Sequence, residues 1–150
     1  MMTAYIFNCR KIFNKIKFAF EMKLPADKQL FESELSTYWF DDEGILMSLS
    51  KSSKRTLENT RESFELVKRI TNNKKACLLV YLANSKKPDK QTLEYVRNEL
   101  PNVYKAMAMV SKSGLGEIIM NIIFKLKPPA IPMKTFSNEA EAKKWLRQYL

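Results

Sequence analysis

Two nearly continuous apolar runs constrain the fold of this chain more than any other feature. Ala76 to Ala83 reads ACLLVYLA, and Tyr104 to Val110 reads YKAMAMV. Runs of this kind are typical of strands covered on both faces, which occur mainly in parallel sheets flanked by helices. Between the two runs, Leu93, Val96 and Leu100 recur at helical spacing. The sequence therefore predicts a strand-helix-strand unit in an α/β domain.

A hairpin is predicted ahead of these strands. The runs 37–40 (TYWF) and 45–50 (ILMSLS) are rich in strand-forming residues, and the segment from Asp41 to Gly44 suits a turn between them. The second run alternates, so Ile45, Met47 and Leu49 are expected on one face. The three adjacent acids of the turn point in different directions and repel one another, which indicates a solvated turn rather than a metal or acid-base cluster.

The remaining segments alternate helices with strands. Helical patterns cover 56–71, the segment from Pro88 to Pro101, and 115–126; Pro101 is expected to close the second helix because proline cannot donate a backbone hydrogen bond. A short strand at 131–136 precedes a last helix, which is opened by the cap and acids of 137–141. The predicted order is β-β-α-β-α-β-α-β-α, a mixed, mostly parallel sheet flanked by helices, with right-handed crossovers.

One domain is expected from 150 residues, because this length supports one core of ordinary size. We place the domain at residues 31–150, after an extension of residues 1–30. Residues 1–20 hold four basic residues, no acid and many aromatic and isoleucine side chains. A basic amphipathic helix there would lie on an anionic membrane surface, dock on a partner or pack on its own domain. Alternatively, translation starts at Met22.

Composition argues against several classes of function. Without histidine, the chain lacks the usual general bases, activated nucleophiles and mixed zinc sites, so we expect no enzymatic activity, metal or cofactor. Cys9 and Cys77 lie far apart, and Cys77 falls in an apolar run, so we expect a buried free thiol and a cytoplasmic protein. The net charge of +10 comes from lysines scattered among acids, which does not favour nucleic-acid binding.

Four segments carry a resemblance to a known family: YWFDDEGILMSLS, ACLLVYLA, KAMAMVSKS and KPPAIPMKTFSNEAEAKKWL. Together with the predicted order, they make residues 35–150 similar to the STAS/SpoIIAA-like proteins, particularly the small bacterial group described as STAS/SEC14-like. The resemblance implies a compact sheet with helices and a regulatory, non-enzymatic role. The better understood members are antagonists of anti-sigma factors, switched by phosphorylation of a serine after a central strand.

The loop after the strand 76–83 is the first candidate site. By position, the phosphorylated serine of the family falls in the loop 84–87, where Ser85 is the only hydroxyl; the family's usual run of an acidic residue, serine and glycine is absent. Asn84, Ser85 and Lys86 are therefore candidates for ligand binding or regulation. A phosphate there would be attracted by helix-start amides and by the lysines. The same residues also suit an ordinary solvated turn.

The loop after the strand 104–110 is the second candidate, because ligands of open α/β sheets bind at the carboxyl ends of the strands. Ser111, Lys112, Ser113 and Gly114 offer amides and hydroxyls for a phosphate or a carboxylate. The segment lacks the nucleotide-binding P-loop pattern. A plain helix cap is the alternative interpretation.

The predicted helix that follows is apolar around most of its circumference. Its candidate interaction residues are Ile118, Ile119, Ile122 and Ile123, which would be buried in the domain or would contact a partner protein, a second copy or an apolar ligand. We therefore expect a regulatory or ligand-binding module, whose protein partner or small apolar or anionic ligand binds at the loops after the third and fourth strands. The alternative is a peripheral membrane protein held by residues 1–20.

Overall fold

The computed structural model describes residues 22–111, 118–121 and 128–150. The strands are β1 (Phe31–Glu32), β2 (Ser36–Phe40), β3 (Leu46–Ser50), β4 (Ala76–Tyr81), β5 (Tyr104–Val110) and β6 (Met133–Phe136). The helices are α1 (Leu57–Ile70), α2 (Lys90–Val103) and α3 (Glu139–Leu146), which continues into a 3-10 turn at Arg147–Tyr149. Residues 118–121 are also helical. No helix within these ranges has the length and apolar character needed to cross a membrane.

The six strands form one sheet whose spatial order is the order of the chain. β1 pairs with β2 and β2 with β3 in antiparallel fashion, whereas the pairs β3/β4, β4/β5 and β5/β6 are parallel. The predicted α/β class and the mixed, mostly parallel sheet are confirmed. β1 is an addition to the predicted order, since a strand of two residues has no periodicity to detect.

This strand order decides which face of the sheet each helix covers. The parallel crossovers all advance in the same direction across the sheet, and right-handed crossovers of that kind place their helices on the same face. Phe64 of α1 and Leu100 of α2 accordingly pack in one core cluster, on what we call the crossover face. α3 follows the edge strand and buries Ala142 and Leu146 in a second cluster, on what we call the α3 face.

The central strand β4 contributes side chains to both clusters. Leu78 and Val80 point to the crossover face, and Cys77, Leu79 and Tyr81 point to the α3 face. All five are buried, which confirms that the apolar run is a strand covered on both sides. The thiol of Cys77 is free and buried, as predicted.

The hairpin of β2 and β3 forms as predicted, with Ile45 and Met47 both on the α3 face. Its turn is organised by Asp41, whose Oδ1 accepts hydrogen bonds from the backbone N–H groups of Glu43 at 3.0 Å and Ile45 at 2.8 Å. Gly44 has a φ of +81°, which explains why a glycine occupies this position.

Both ends of α1 are set by local polar residues. Thr56 and Asn59 form a reciprocal capping box, in which each side chain accepts a hydrogen bond from the backbone N–H of the other residue. Asn72 and Asn73 follow the helix with φ values of 52° and 57°, a left-handed conformation that asparagine tolerates and that ends the helix as predicted.

We expect Thr56→Ala to lower the free energy of unfolding by about 1 kcal/mol, because the first turn of α1 loses its side-chain acceptor. Urea denaturation of the variant measures this loss. Ser52→Ala, at an exposed position before the helix, is the control and should change stability by less than about 0.5 kcal/mol. Equal losses in the two variants would contradict the importance of the cap.

The prediction that Pro101 closes α2 is wrong, because the helix continues to Val103. A proline in the last turn removes its own N–H from the hydrogen-bond ladder and crowds the carbonyl four residues earlier, but it leaves the N–H groups of the following residues free to bond. Burial of Leu100 and Val103 against the sheet holds this turn in place. β5 then begins directly at Tyr104, whose N–H donates to the Leu100 carbonyl.

A candidate ligand-binding cavity

A cavity of about 200 Å³ lies on the crossover face, between the sheet and the helices. Its floor comes from β4, β5 and β6, and consists of Leu78, Val80, Met107, Met109 and Met133. Its walls come from α1, α2 and the helical residues 118–121, and include Phe64, Leu93, Val96, Leu100, Ile118 and Ile119. The cavity therefore exists where all the crossover segments meet the sheet, and most of its surface is apolar.

Hydroxyl groups of β2, β3 and α1 line one side of the cavity. They belong to Ser36, Tyr38, Ser48, Thr60 and Ser63. The Tyr38 and Ser63 hydroxyls bond to each other at 2.7 Å. The Thr60 Oγ1 is buried and has no hydrogen-bond partner in the described part of the chain. A buried hydroxyl without a partner costs stability, so on this side of the cavity a hydrogen bond is available to a polar group of a ligand.

Arg55 also lines the cavity, one residue before the Thr56 cap. Burial lowers the pKa of its guanidinium, while the neighbouring Tyr38 and Tyr104 act in the opposite direction. None of the described carboxylates lies within ion-pair distance of Arg55. Because an arginine side chain stays protonated even when its pKa falls, the cavity contains a partly buried positive charge that no described acid balances.

Tyr104 also lines the cavity and is 5% exposed. Burial raises the pKa of its phenol, and the charges of Tyr38 and Arg55 act on it in opposite directions, with the net shift upward. The phenol is therefore neutral at physiological pH and keeps a proton that it can donate. Within the described ranges its hydroxyl makes no hydrogen bond.

The mouth of the cavity is formed by the loop that follows β4. Ser85 and Lys86, both predicted as site residues, line it together with Lys87 and Pro88. Asn84 belongs to the same loop but does not line the cavity. Lys51, which directly follows β3, already binds a Glu32 carboxylate oxygen at 2.6 Å and the Ser33 carbonyl at 2.7 Å.

The loop after β5 is described only at its first residue. The N–H of Ser111 donates to the Phe136 carbonyl at 3.1 Å, so Ser111 extends the pairing of β5 with β6 and does not line the cavity. The other predicted residues of this loop, Lys112, Ser113 and Gly114, lie outside the described residues.

Two of the four isoleucines predicted as an interaction surface reach the cavity. Ile119 packs against the core of the crossover face, and Ile118 lines the cavity while remaining 54% exposed. Ile122 and Ile123 lie outside the described residues. At least the described half of this set thus contributes to the cavity wall.

The three acids of the hairpin turn each bind a different cation. Asp41 pairs with Lys143 at 3.0 Å, Asp42 with Lys28, and Glu43 with Arg147 through two contacts of 2.6 and 2.8 Å. The prediction of a solvated turn is wrong for Asp41, whose side chain is only 10% exposed because α3 covers it. No group of acids, cysteines or histidines in the described ranges has the geometry of a metal site.

Lys143 also connects the turn to the end of β4. Its Nζ lies 2.7 Å from Glu139, and Glu139 accepts a hydrogen bond from the Tyr81 hydroxyl. Burial acts to raise the pKa of Glu139, but the bonds from Lys143 and Tyr81 outweigh it and lower that pKa. Burial and the bond to Glu139 together raise the pKa of Tyr81. This chain of contacts fastens α3 to the sheet.

A second depression, of about 380 Å³, lies at the opposite end of the parallel strands. Lys74, Lys75 and Lys105 line it, together with Glu43 and Leu150. These lysines are solvent-exposed, so water already stabilises their charges. The smaller cavity on the crossover face is the better candidate, because Arg55 is partly buried there without a described counter-ion and the lining is largely apolar.

Comparison with known structures agrees with the architecture. The chain is similar to an uncharacterised protein of the DUF3478 family with a SpoIIAA-like fold, from Shewanella loihica PV-4, with 16% sequence identity and a TM-score of 0.50. The similarity covers 83% of this chain and 98% of the other. At this identity it shows the fold alone, and it confirms the predicted SpoIIAA-like architecture.

The sequence comparison then places the chain in a family. Residues 38–150 match the family described as a domain of unknown function, DUF7793, and the chain belongs to that family. No curated protein matches the chain.

Proposed function

We propose that this domain is a non-enzymatic binding module that takes up a small, largely apolar ligand in the cavity on the crossover face. The observation that supports the proposal most directly is the cavity itself. Protein cores pack densely and contain few voids larger than a water molecule, so an apolar cavity of about 200 Å³ costs stability unless it is filled. Ligand sites typically combine such an apolar lining with a few polar groups at one side.

The cavity volume suits a small ligand. An engineered protein cavity of about 150 Å³ binds benzene, which corresponds to roughly 25 Å³ for each non-hydrogen atom. On the same scale, about 200 Å³ holds a ligand of roughly eight non-hydrogen atoms. A longer chain would reach out through the mouth beside Ser85 and Lys86.

Binding is favoured over catalysis by the chemistry of the lining. The chain has no histidine, and the described lining of the cavity holds no carboxylate and no thiol. General acid-base catalysis and covalent catalysis normally depend on such groups. The protein partner, the homodimer and the membrane contact through residues 1–20 remain predictions.

We expect the unmodified protein to bind 1-octanol, which has a size that fits the cavity, and Val96→Trp to weaken that binding by about tenfold or more. Val96 lies in the cavity wall on α2, where a larger side chain occupies the space of the ligand. Ligand-observed NMR titration with 1-octanol measures the affinity.

Glu94→Trp, at an exposed position of the same helix, is the matched control and should leave octanol affinity unchanged. Thermal unfolding of Val96→Trp should occur at or above the temperature of the unmodified protein, because the new side chain fills a void. Failure of the unmodified protein to bind octanol, or equal binding by Val96→Trp, would contradict the proposed function.

A further inference from the structure

The four cations around the cavity differ in how their charge is stabilised. Lys51 is paired with Glu32 at 2.6 Å. Lys86 and Lys87 are exposed in the loop after β4, where water solvates them. Arg55 differs from these three, because burial lowers the pKa of its guanidinium and none of the described acids is close enough to pair with it.

An unbalanced buried charge is unfavourable, and buried charges in proteins are normally paired or bound to a ligand. Arginine cannot escape this cost by losing its proton. The cost is removed when an anion enters the cavity and accepts hydrogen bonds from the guanidinium. Guanidinium groups match the oxygen pairs of carboxylates and phosphates in geometry, and such bonds are strong in an apolar surrounding.

Two further groups of the same cavity have donors available for an anion. The Thr60 Oγ1 is buried without a partner in the described part of the chain, and the Tyr104 hydroxyl, which belongs to another lining residue, makes no hydrogen bond to any described residue. The Tyr38 hydroxyl is already engaged with Ser63 at 2.7 Å. The charged oxygens of one anion have enough acceptor positions for Arg55 and a neighbouring hydroxyl at once.

We infer that the ligand is a small amphipathic anion, whose apolar body lies in the cavity and whose acidic group is bound by Arg55. This inference rests on the proposed function and names the chemical class of its ligand. Arg55 supplies the charge and the orientation, and the floor of β4, β5 and β6 supplies the apolar contact. Carboxylic acids and phosphoric acid monoesters share this chemistry, and a titration with one probe of each kind separates them.

The test compares sodium octanoate, 1-octanol and octyl phosphate, three probes with the same eight-carbon chain, by calorimetric titration at pH 7. We expect the unmodified protein to bind octanoate more tightly than octanol by on the order of 30-fold, and Arg55→Met to lose this preference while it still binds octanol. Arg61→Met is the matched control, because Arg61 is exposed and stacks on Tyr95 outside the cavity. It should bind octanoate as the unmodified protein does.

Stability provides a second measurement. Without ligand, Arg55→Met should unfold at a higher temperature than the unmodified protein, because the variant no longer buries an unbalanced charge. Octanoate should raise the unfolding temperature of the unmodified protein and leave that of Arg55→Met nearly unchanged. Arg55→Gln, which removes the charge but keeps a polar side chain, repeats the test if the methionine variant does not fold.

The outcomes separate the inference from the proposed function. If octanol binds but octanoate binds no better, or if the preference for octanoate survives Arg55→Met, the inference is wrong and the apolar site remains. If none of the three probes binds the unmodified protein, the proposed function fails as well. Tighter binding of octyl phosphate, lost in Arg55→Met, would support the inference and identify phosphate as the acidic group.

Discussion

Leu79→Ala is expected to lower the free energy of unfolding by about 4 kcal/mol, and Leu78→Ala by only about 2 kcal/mol. The two residues are neighbours in β4 and are almost equally buried, at 0% and 4% exposure. Leu79 packs into the closed cluster beneath α3, so its truncation leaves a new void. Leu78 borders the cavity, so part of its surface has no packing partner to lose.

Urea denaturation of both variants with the unmodified protein measures the difference. For a protein of this length, about 4 kcal/mol corresponds to a decrease in the unfolding temperature of roughly 8–16 °C. Similar losses at the two positions would mean that the crossover face is as densely packed as the α3 face. That result would contradict the presence of a ligand cavity on the crossover face. Comparing the Leu78→Ala and Leu79→Ala variants therefore tests for the cavity without any ligand.

Lys143→Met is expected to lower the free energy of unfolding by about 2 kcal/mol at neutral pH. The variant leaves Asp41, whose side chain is 10% exposed, without the Lys143 ammonium and also removes the Lys143 ammonium from Glu139, which keeps the hydrogen bond from Tyr81. The methionine keeps most of the apolar stem, so the loss reports the charge rather than the packing. Lys144→Met, at the exposed neighbouring position, should change stability by less than about 0.5 kcal/mol.

The loss caused by Lys143→Met should depend on pH. Burial acts to lower the pKa of Lys143, but bonds to Glu139 and Asp41 raise it above 10.5, so its contribution is present below that pH and disappears as the pH rises through the folded-state pKa. The pKa of Glu139 lies below 4.5, so its contribution is present above that pH and disappears as the pH falls. Denaturation across this range should therefore show the largest difference at intermediate pH. A difference that stays constant from acid to alkaline pH would contradict an ionic origin.

The strands were predictable wherever consecutive buried residues give the sequence a continuous apolar run. The run YKAMAMV predicts β5 with its observed bounds, because every position but Lys105 is buried and the run is therefore almost continuously apolar. β1 has no such apolar run, since it consists of two residues that pair with Tyr38 and Thr37 of β2. Pro101 was assigned the wrong role because the contacts that retain its helical turn come from the sheet, which local sequence does not report.

The candidate site was predictable only in part, for the same reason. Ser85 and Lys86 follow a buried strand, and the rule that ligands bind at the carboxyl ends of strands is sufficient to select them. Arg55 stands in the polar segment KSSKRT, where nothing distinguishes it from the neighbouring lysines. The fold brings it to the same cavity as Tyr104, which lies almost fifty residues further along the chain.

The agreement between strand order and chain order also determines how the domain can assemble during synthesis. Each of the described strands after β1 pairs with the strand translated before it, so the sheet can grow at one edge as the chain leaves the ribosome. The crossover face is covered progressively, because its helices are made between the strands. Among the described helices, α3 is the one that covers Trp39, Ile45 and Leu79 on the α3 face, and it is made after all six described strands. In the described part of the chain, burial of the apolar α3 face, which would otherwise favour aggregation, is therefore completed only when this last helix has been synthesised.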